Sequence, residues 1–420
     1  MAVGPLLTTA CTQFTARPLD PAAGAAGLTE RHLSAKTWTL QSITEEAVQH
    51  HSAIAVARAK YETAVAAVRT AGERPNPTIA LSPQIVTPFT KWIAGTYGVD
   101  FDWTLETAGK RSKRLNVARA QVRAAAANVI DATWTVRSAV RKAFLELYAA
   151  EQRTKLLNEA IAQQSELLSA LDERIKAGAE SRSVTSQARL LQAQMRLQAA
   201  ESAKLAAVAR AALAEALAMP VRGLDGAHFS FAAFESSAPS VPGRKKALTH
   251  RADVLAALAV YAAAEETLRL EIAKQYPDLH LNPGYSLDAG ENKWTLGIGL
   301  TLPILNRNQG AIGEAEAKRK EAAATFESVQ AKVLAEYDRA AATLAAARTK
   351  LSTTDALLEE QALQIASEER IVKGGSGERS ALLSAKVERA ATLTSRVDAL
   401  AEIQAALGAL EEAAQTPIAQ

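Results

Sequence analysis

Two long segments of the sequence share one seven-residue apolar repeat, which restricts the fold more than any other feature. In the first half the repeat occupies Val140, Leu147, Thr154, Ile161, Leu168 and Ile175. In the second half, 197 residues later, it occupies Tyr337, Leu344, Leu351, Leu358, Ile365 and Val372. A seven-residue period indicates α-helices packed in a left-handed supercoil. The chain is therefore predicted to be an internal duplication, in which each half contains a helix on the order of 100 Å long.

The two long helices, over about 110–176 and 308–373, each end at glycine and reverse into a shorter helix. Gly178 and Gly374 mark these ends, because glycine readily adopts the conformation that closes a helix. An earlier helix is predicted from Ser42, which has capping-box spacing to Glu45, as far as Ala71. The predicted organisation is an arm at 11–41, a first repeat at 42–219, a linker rich in Pro and Gly at 220–246, and a second repeat at 247–415.

Each half also carries two segments in which apolar residues alternate with polar or small ones. These predicted strands cover about 77–88 and 95–106 in the first half, and 277–288 and 293–303 in the second. Alternation over about ten residues is typical of transmembrane β-strands, and aromatic residues suit the bilayer interface. A half-buried sheet in a soluble protein alternates in the same way, but two isolated hairpins are too few for an independent sheet. The residues predicted to face lipid are Tyr97, Val99, Phe101, Trp103, Trp294, Leu296, Ile298 and Leu300.

Four strands cannot close a barrel by themselves, and open sheet edges are not tolerated in lipid. The sequence has no run of 18 uncharged apolar residues, which excludes a transmembrane helix. We therefore predict a mostly α fold with a small β part, in which duplicated helical hairpins carry four strands. Three copies would form a 12-stranded β-barrel that continues into an α-helical tunnel.

Several segments are similar to one known family. They are Glu106–Arg111, His250-Arg-Ala-Asp253-Val254, residues 275–287 and residues 302–310. With the duplicated plan, they make nearly the whole chain resemble the TolC-like outer-membrane efflux family, most closely its cobalt–zinc–cadmium branch. The resemblance implies a homotrimer in the outer membrane with a periplasmic extension. It also implies a periplasmic adaptor protein, an inner-membrane pump of the resistance–nodulation–division type, and export of heavy-metal cations or small toxic compounds.

The resemblance further implies that the helical tips, at about 178–183 and 374–380, form the aperture and contact the adaptor. Many relatives carry acidic residues just beyond these turns, whereas this sequence has Val184, Gln187, Ala381 and Ser384. Glu180 and Glu378 are candidates to substitute for them. We predict ion pairs from Arg174 and Arg370 to these two carboxylates, the alternative being simple charge complementarity at the helix ends. The candidate tip residues are Arg174, Gly178, Glu180, Ser183, Arg370, Gly374, Glu378 and Ser380.

Cys11, the single cysteine, follows a short apolar segment that resembles a bacterial lipobox. Two interpretations stay open. Residues 1–10 are a truncated lipoprotein signal segment and Cys11 is acylated, or Cys11 is a lone thiol.

No motif in the sequence predicts an enzyme, a cofactor or a resident metal. The adjacent pair His50 and His51 would point in different directions on a helix and fits no zinc-site spacing. A net charge of +3 with interspersed signs does not indicate a nucleic-acid partner. Besides an efflux channel, the sequence allows the outer-membrane duct of a type I protein-secretion system, or a soluble periplasmic coiled-coil scaffold.

Overall fold

The structure is a computed structural model that describes residues 14–85, 95–235, 243–288 and 290–418. Cys11 and the lipobox-like segment lie outside these residues. The first half contains α1 (Pro21–Thr29), β1 (Thr37–Trp38), α2 (Leu40–His50), α3 (Ser52–Ala71), β2 (Thr78–Ile85), β3 (Gly95–Leu105), α4 (Lys110–Lys176) and α5 (Arg182–Ala216). The rest contains β4 (His228–Phe229), α6 (Arg244–His250), α7 (Ala252–Ala273), β5 (Leu279–Asp288), β6 (Glu291–Leu300), α8 (Gln309–Lys373) and α9 (Arg379–Ala414).

The two long helices, α4 and α8, have 67 and 65 residues and each forms a hairpin with the helix that follows. Helix α4 packs against α5, α8 packs against α9, and α4 also packs against α9, so the order across the bundle is α5–α4–α9–α8. Several residues of the seven-residue repeat, including Val140, Leu147, Leu344 and Leu351, lie buried along these contacts. The predicted fold class, duplicated long helical hairpins with a small β part, is confirmed. No helix in the described part of the chain has both the length and the apolar character needed to cross a membrane.

The helix predicted to start at Ser42 begins earlier, and its assigned cap was wrong. Thr39 is the cap: its hydroxyl accepts the Ser42 amide at 3.2 Å, and the Ser42 hydroxyl accepts the Thr39 amide at 2.9 Å. The helix is also interrupted at His51, whose backbone is extended and whose Nδ1 accepts the Ala53 amide at 3.1 Å. The predicted continuous helix from Ser42 to Ala71 therefore missed the break at His51. In the second half, Arg251 also has an extended backbone and separates α6 from α7, without a side-chain cap.

The segment predicted as a linker packs into the protein at the middle of α4. Phe144 on α4 contacts the rings of Phe229, Phe231 and Phe234 at centroid distances of 5.7, 4.9 and 5.9 Å. Phe144 and Phe234 are both 0% exposed. Strand β4 pairs in parallel with β1, so the segment is also joined to the N-terminal arm. That arm contains α1 and β1.

The four longer strands form one antiparallel sheet in the order β2–β3–β5–β6. One hairpin comes from each half of the chain, and β3 and β5 join the two hairpins. Val99 lies between Leu81 on β2 and Tyr285 on β5, and Tyr285 in turn pairs with Trp294 on β6. The register thus places the large apolar residues of all four strands on one face.

Candidate channel wall and helical tips

The apolar face of the sheet is not covered by any other described part of the protomer. The eight residues predicted to face lipid all lie on this face, and they range from 39% exposed at Val99 to 81% at Trp294. Ile79 and Leu81 on β2 extend it. The rings of Tyr285 and Trp294 pack together with centroids 4.8 Å apart. A continuous exposed apolar surface of this kind indicates contact with a partner or with a membrane.

The opposite face of the sheet carries short polar side chains beside glycines. A Cβ atom added to Gly284 would lie 2.5 Å from the Asp100 carboxylate, and one added to Gly299 would lie 3.2 Å from the His280 Cβ. The glycines therefore leave room for neighbouring polar side chains to lie flat along the sheet. His280 Nδ1 is 3.2 Å from both Asp102 Oδ1 and Thr104 Oγ1, which join β5 to β3. This face is suited to contact with water.

The lateral edges of the protomer are unpaired within the described residues. Strands β2 and β6 are the outer strands of the sheet, and α5 and α8 are the outer helices of the bundle. Both outer helices expose large apolar residues. They are Leu190, Leu191, Leu197, Leu205 and Val208 on α5, and Leu357, Leu363 and Ile371 on α8.

A charged cluster fixes the junction between the sheet and α4. Lys110, at the start of α4, is buried and places its Nζ 2.7 Å from Asp278 Oδ1, which also accepts the Thr107 amide at 2.9 Å. Partial burial opposes ionisation of Asp278, but the hydrogen bonds from Lys110 and Thr107 outweigh burial and lower the pKa of this carboxyl. Arg114 on α4 binds the Glu106 carboxylate through two nitrogens. Sequence reasoning missed the contacts of Asp278 with Lys110 and Thr107 because these residues are about 170 positions apart.

At the helical tips, Arg174 connects the two hairpins of the protomer. Its Nη1 lies 2.9 Å from Glu378 Oε1 in the second hairpin, and its Nη2 lies 3.7 Å from Glu180 Oε2 in its own. The hydrogen bond from Arg174 lowers the pKa of Glu378. The predicted pairing is therefore present for Arg174. Arg370 does not share it: its Nε donates to the Ala366 carbonyl, and no carboxylate of the described chain lies within ion-pair distance.

The remaining candidate tip residues lie in the turns. Gly178 has a left-handed φ of 71°, whereas Gly374 still has a helical conformation and Gly375, with φ 78°, makes the corresponding turn. The hydroxyl of Ser183 is 2.6 Å from that of Ser181, and the Ser380 hydroxyl donates to Glu378 at 3.3 Å. These contacts are local, so among the candidate residues the Arg174–Glu378 ion pair is the contact that joins the two tips.

The described residues contain no group of three His, Cys, Asp or Glu side chains able to hold a metal ion within one protomer. His50 lies at the end of α2 and is 3.6 Å from Glu46, whereas His51 caps the next helix. The two imidazoles thus have separate structural surroundings.

Comparison with known proteins points to one family. The model of the family described as "Outer membrane efflux protein" matches residues 43–219 and 243–414. The chain is also 28% identical over 261 residues to the cobalt-zinc-cadmium resistance protein CzcC of Cupriavidus metallidurans. This match covers 59% of the chain, and the chain spans 61% of the length of that relative.

Solved structures support the same fold. CusC, described as forming a transmembrane channel, superimposes with a TM-score of 0.74 at 18% identity, over 90% of this chain and 92% of its own. The outer membrane protein VceC of Vibrio cholerae gives 0.70 at 20% identity, over 90% and 96% of the two chains.

Proposed function

Because the chain belongs to the outer membrane efflux protein family, we propose that three copies of it form a passive exit channel through the outer membrane. The family is one of channels, so the chain is not an enzyme. The observation that carries the proposal is the four-stranded sheet, which combines an exposed apolar face, a polar face and two unpaired edges.

The strand directions allow a ring of identical copies. In the order β2–β3–β5–β6 each strand runs opposite to its neighbour, so β6 and β2 also run in opposite directions. Strand β6 of one copy can therefore pair with β2 of the next in an antiparallel arrangement. Repeating this head-to-tail contact closes a ring and leaves no backbone group unpaired in lipid.

The helices support the same contact. When β6 meets β2 of the next copy, α8 at one side of the bundle meets α5 of that copy. Both helices expose large apolar residues, and burial of such surface stabilises association by roughly 25 cal/mol per Å². One interface thus removes both the open strand edges and the exposed apolar helix faces.

Three copies are favoured because of the barrel size. Two copies would give about eight strands, whose interior is filled by side chains, whereas twelve strands leave space for a lumen. The polar face would then line a water-filled conduit, and the helices would continue it into the periplasm.

The name of one relative supports a proposal for the cargo, and the family resemblance supports one for the partners. CzcC is a cobalt-zinc-cadmium resistance protein, and we propose that this chain exports heavy-metal cations received from a periplasmic adaptor and an inner-membrane pump of the resistance–nodulation–division type. The tips would contact the adaptor, with Arg174, Glu180 and Glu378 holding the aperture closed in the resting channel.

The test combines native mass with conductance. Detergent-purified protein should have the mass of a trimer and should produce discrete conductance steps in planar bilayers. Deletion of the gene, together with complementation, should lower and then restore tolerance to cobalt, zinc or cadmium. Monomers without conductance would refute the channel proposal, whereas a conducting trimer with unchanged metal tolerance would refute only the proposed cargo.

A further inference from the structure

We propose that His280, oriented by Asp102, forms a cation-binding station on the polar wall of the conduit that takes borderline divalent cations such as Ni²⁺, Co²⁺ or Zn²⁺. The inference rests on the proposed function, because it requires the polar face of the sheet to line the conduit. It adds a ligand site inside the barrel itself, at a distance from the helical tips.

The His280 imidazole is held by polar groups at one of its two nitrogens. Nδ1 of His280 lies 3.2 Å from the Asp102 carboxylate and 3.2 Å from the Thr104 hydroxyl. A carboxylate beside Nδ1 favours the imidazole tautomer that carries its proton on Nδ1 and its lone pair on Nε2. Nε2 has no hydrogen-bond partner within the described parts of the chain. A carboxylate bound to one imidazole nitrogen while the other nitrogen is free is the arrangement that orients histidines toward metal ions.

A second potential ligand, the side-chain oxygen of Asn282, lies next to His280 on β5. Asn282 lies two residues further along β5, on the same face as His280. The Asn282 Oδ1 is shielded from solvent and has no hydrogen-bond partner in the described residues. The Asn282 Nδ2 lies 3.7 Å from a Cβ position built on Gly299, the residue that pairs with His280 across β5 and β6. Rotation of the amide would bring Oδ1 to the His280 side without breaking a hydrogen bond. It would supply a second ligand, and water would complete the coordination.

The surroundings of His280 are open and favour the approach of a cation. His280 lines an open groove of about 800 Å³ together with Thr301, Asn306 and the Lys110–Asp278 pair. Lys110 and Lys274, the two lysines that line this groove, are paired with Asp278 and Glu271. The Asp102 carboxylate lies directly beside the imidazole. Gly297 and Gly299 on β6 leave the space in front of Asn282 and His280 free of side chains. A hydrated cation can therefore approach Nε2 from the conduit.

The nature of the ligands selects the class of cation. Neutral imidazole binds zinc, nickel and copper ions well, whereas magnesium prefers an all-oxygen environment. With one imidazole, one amide oxygen and water, binding is expected to be weak, which suits a site that a transported ion must also leave.

The experiment is Ni²⁺ block of single-channel conductance in planar bilayers, using trimers purified without a histidine tag. His280→Asn should raise the half-blocking Ni²⁺ concentration about tenfold or more, and Asp102→Asn should raise it by about the same order. Asp102→Glu, which retains the carboxylate, should restore much of the block. Mg²⁺ should block wild type and variants equally.

The matched control is His50→Asn, which removes an exposed histidine from α2, far from the sheet. It should leave the Ni²⁺ block unchanged, and every variant is first checked for trimer mass. Equal block of His280→Asn and wild-type channels would overturn the inference while leaving the channel proposal intact. If the trimer does not conduct, the channel proposal fails, and binding of Ni²⁺ is then measured by titration calorimetry. A binding heat that is present in wild type and absent in His280→Asn supports the proposed site, whereas equal binding heats refute it.

Discussion

The outward direction of the apolar sheet face can be tested with two adjacent residues on β6. Leu296 lies near the middle of this strand on the apolar face, and its neighbour Thr295 lies on the polar face. Both side chains are exposed in the protomer, Leu296 at 71%. Packing inside one copy therefore gives no reason for arginine to be tolerated differently at the two positions. The two positions differ only in the proposed barrel, where Leu296 would face lipid and Thr295 would face water.

The expected cost is large because it is repeated in every copy. An arginine on the lipid face near the bilayer midplane costs about 2–4 kcal/mol, so Leu296→Arg costs about 6–12 kcal/mol for three copies. Since about 1.4 kcal/mol corresponds to a factor of ten in an equilibrium constant, assembly in the membrane should weaken by at least about 10⁴-fold. Thr295→Arg places the same charge in water and should assemble normally.

The assay is the yield of trimers extracted from outer membranes, determined by native mass and normalised to total expressed protein. We expect trimers for Thr295→Arg and for wild type, and a near absence of trimers for Leu296→Arg. Equal trimer yields for the two variants would refute the assignment of the apolar face to lipid. The same outcome would favour a sheet whose faces both contact water.

Three further predictions address the tips, the sheet–helix junction and the midsection of the bundle. Arg174→Ala should increase the inward leakage of small antibiotics, measured as greater antibiotic susceptibility of the cells. Arg370→Ala, at the equivalent position but without a carboxylate partner in the described residues, should not increase leakage. Equal leakage in the two variants would contradict the proposed role of Arg174 at the aperture. Asp278→Asn should destabilise the detergent-purified trimer by about 1–3 kcal/mol per copy in thermal unfolding at pH 7, because it leaves the buried Lys110 ammonium without its carboxylate. The control is Asp225→Asn, at an ion pair whose aspartate is 72% exposed, which should change stability by less than about 0.5 kcal/mol. Because the pKa of Asp278 is lowered in the folded state, ionised Asp278 stabilises the fold above the ordinary carboxyl pKa, and this stabilisation is lost as the pH falls through the lowered value. The stability of Asp278→Asn should therefore decrease less on acidification than that of wild type. Burial and the nearby Asp253 raise the pKa of the Asp131 carboxyl, so ionised Asp131 destabilises the fold, and stability falls as the pH rises from the ordinary carboxyl pKa to the raised value. Asp131→Asn can still accept the hydrogen bond from Gln415 and should keep or raise the melting temperature at pH 7. A marked decrease in melting temperature would contradict this reasoning.

The sequence was most informative where a pattern repeats over many residues. The seven-residue repeat through Val140 and Leu344 indicated the long helices, because every turn of a long helix contributes to the pattern. Alternation in β3 and β6 indicated which side chains share a face, since the period of a strand is two residues. Both features are local, so neither requires knowledge of how distant segments meet.

Features that depend on distant contacts were not predictable. Phe229, Phe231 and Phe234 are spaced irregularly, and only their packing against Phe144 shows that the supposed linker is part of the core. The His280–Asp102 contact requires the register of two strands separated by 178 positions in sequence. At the helix start, Ser42 and Thr39 both had suitable side chains, and backbone geometry decided that Thr39 is the cap.

The antiparallel order of the sheet also restricts how proteins of this plan can change their bore. Each half of the chain contributes a complete hairpin, so a chain can gain or lose strands only in pairs. In the proposed ring of three copies, the circumference would then change by six strands in one step. Such a step would also separate the barrel from the helices that continue it at Lys110 and Gln309. Adaptation to a new cargo should therefore proceed by exchanging side chains on the inner surface within a wall of fixed width.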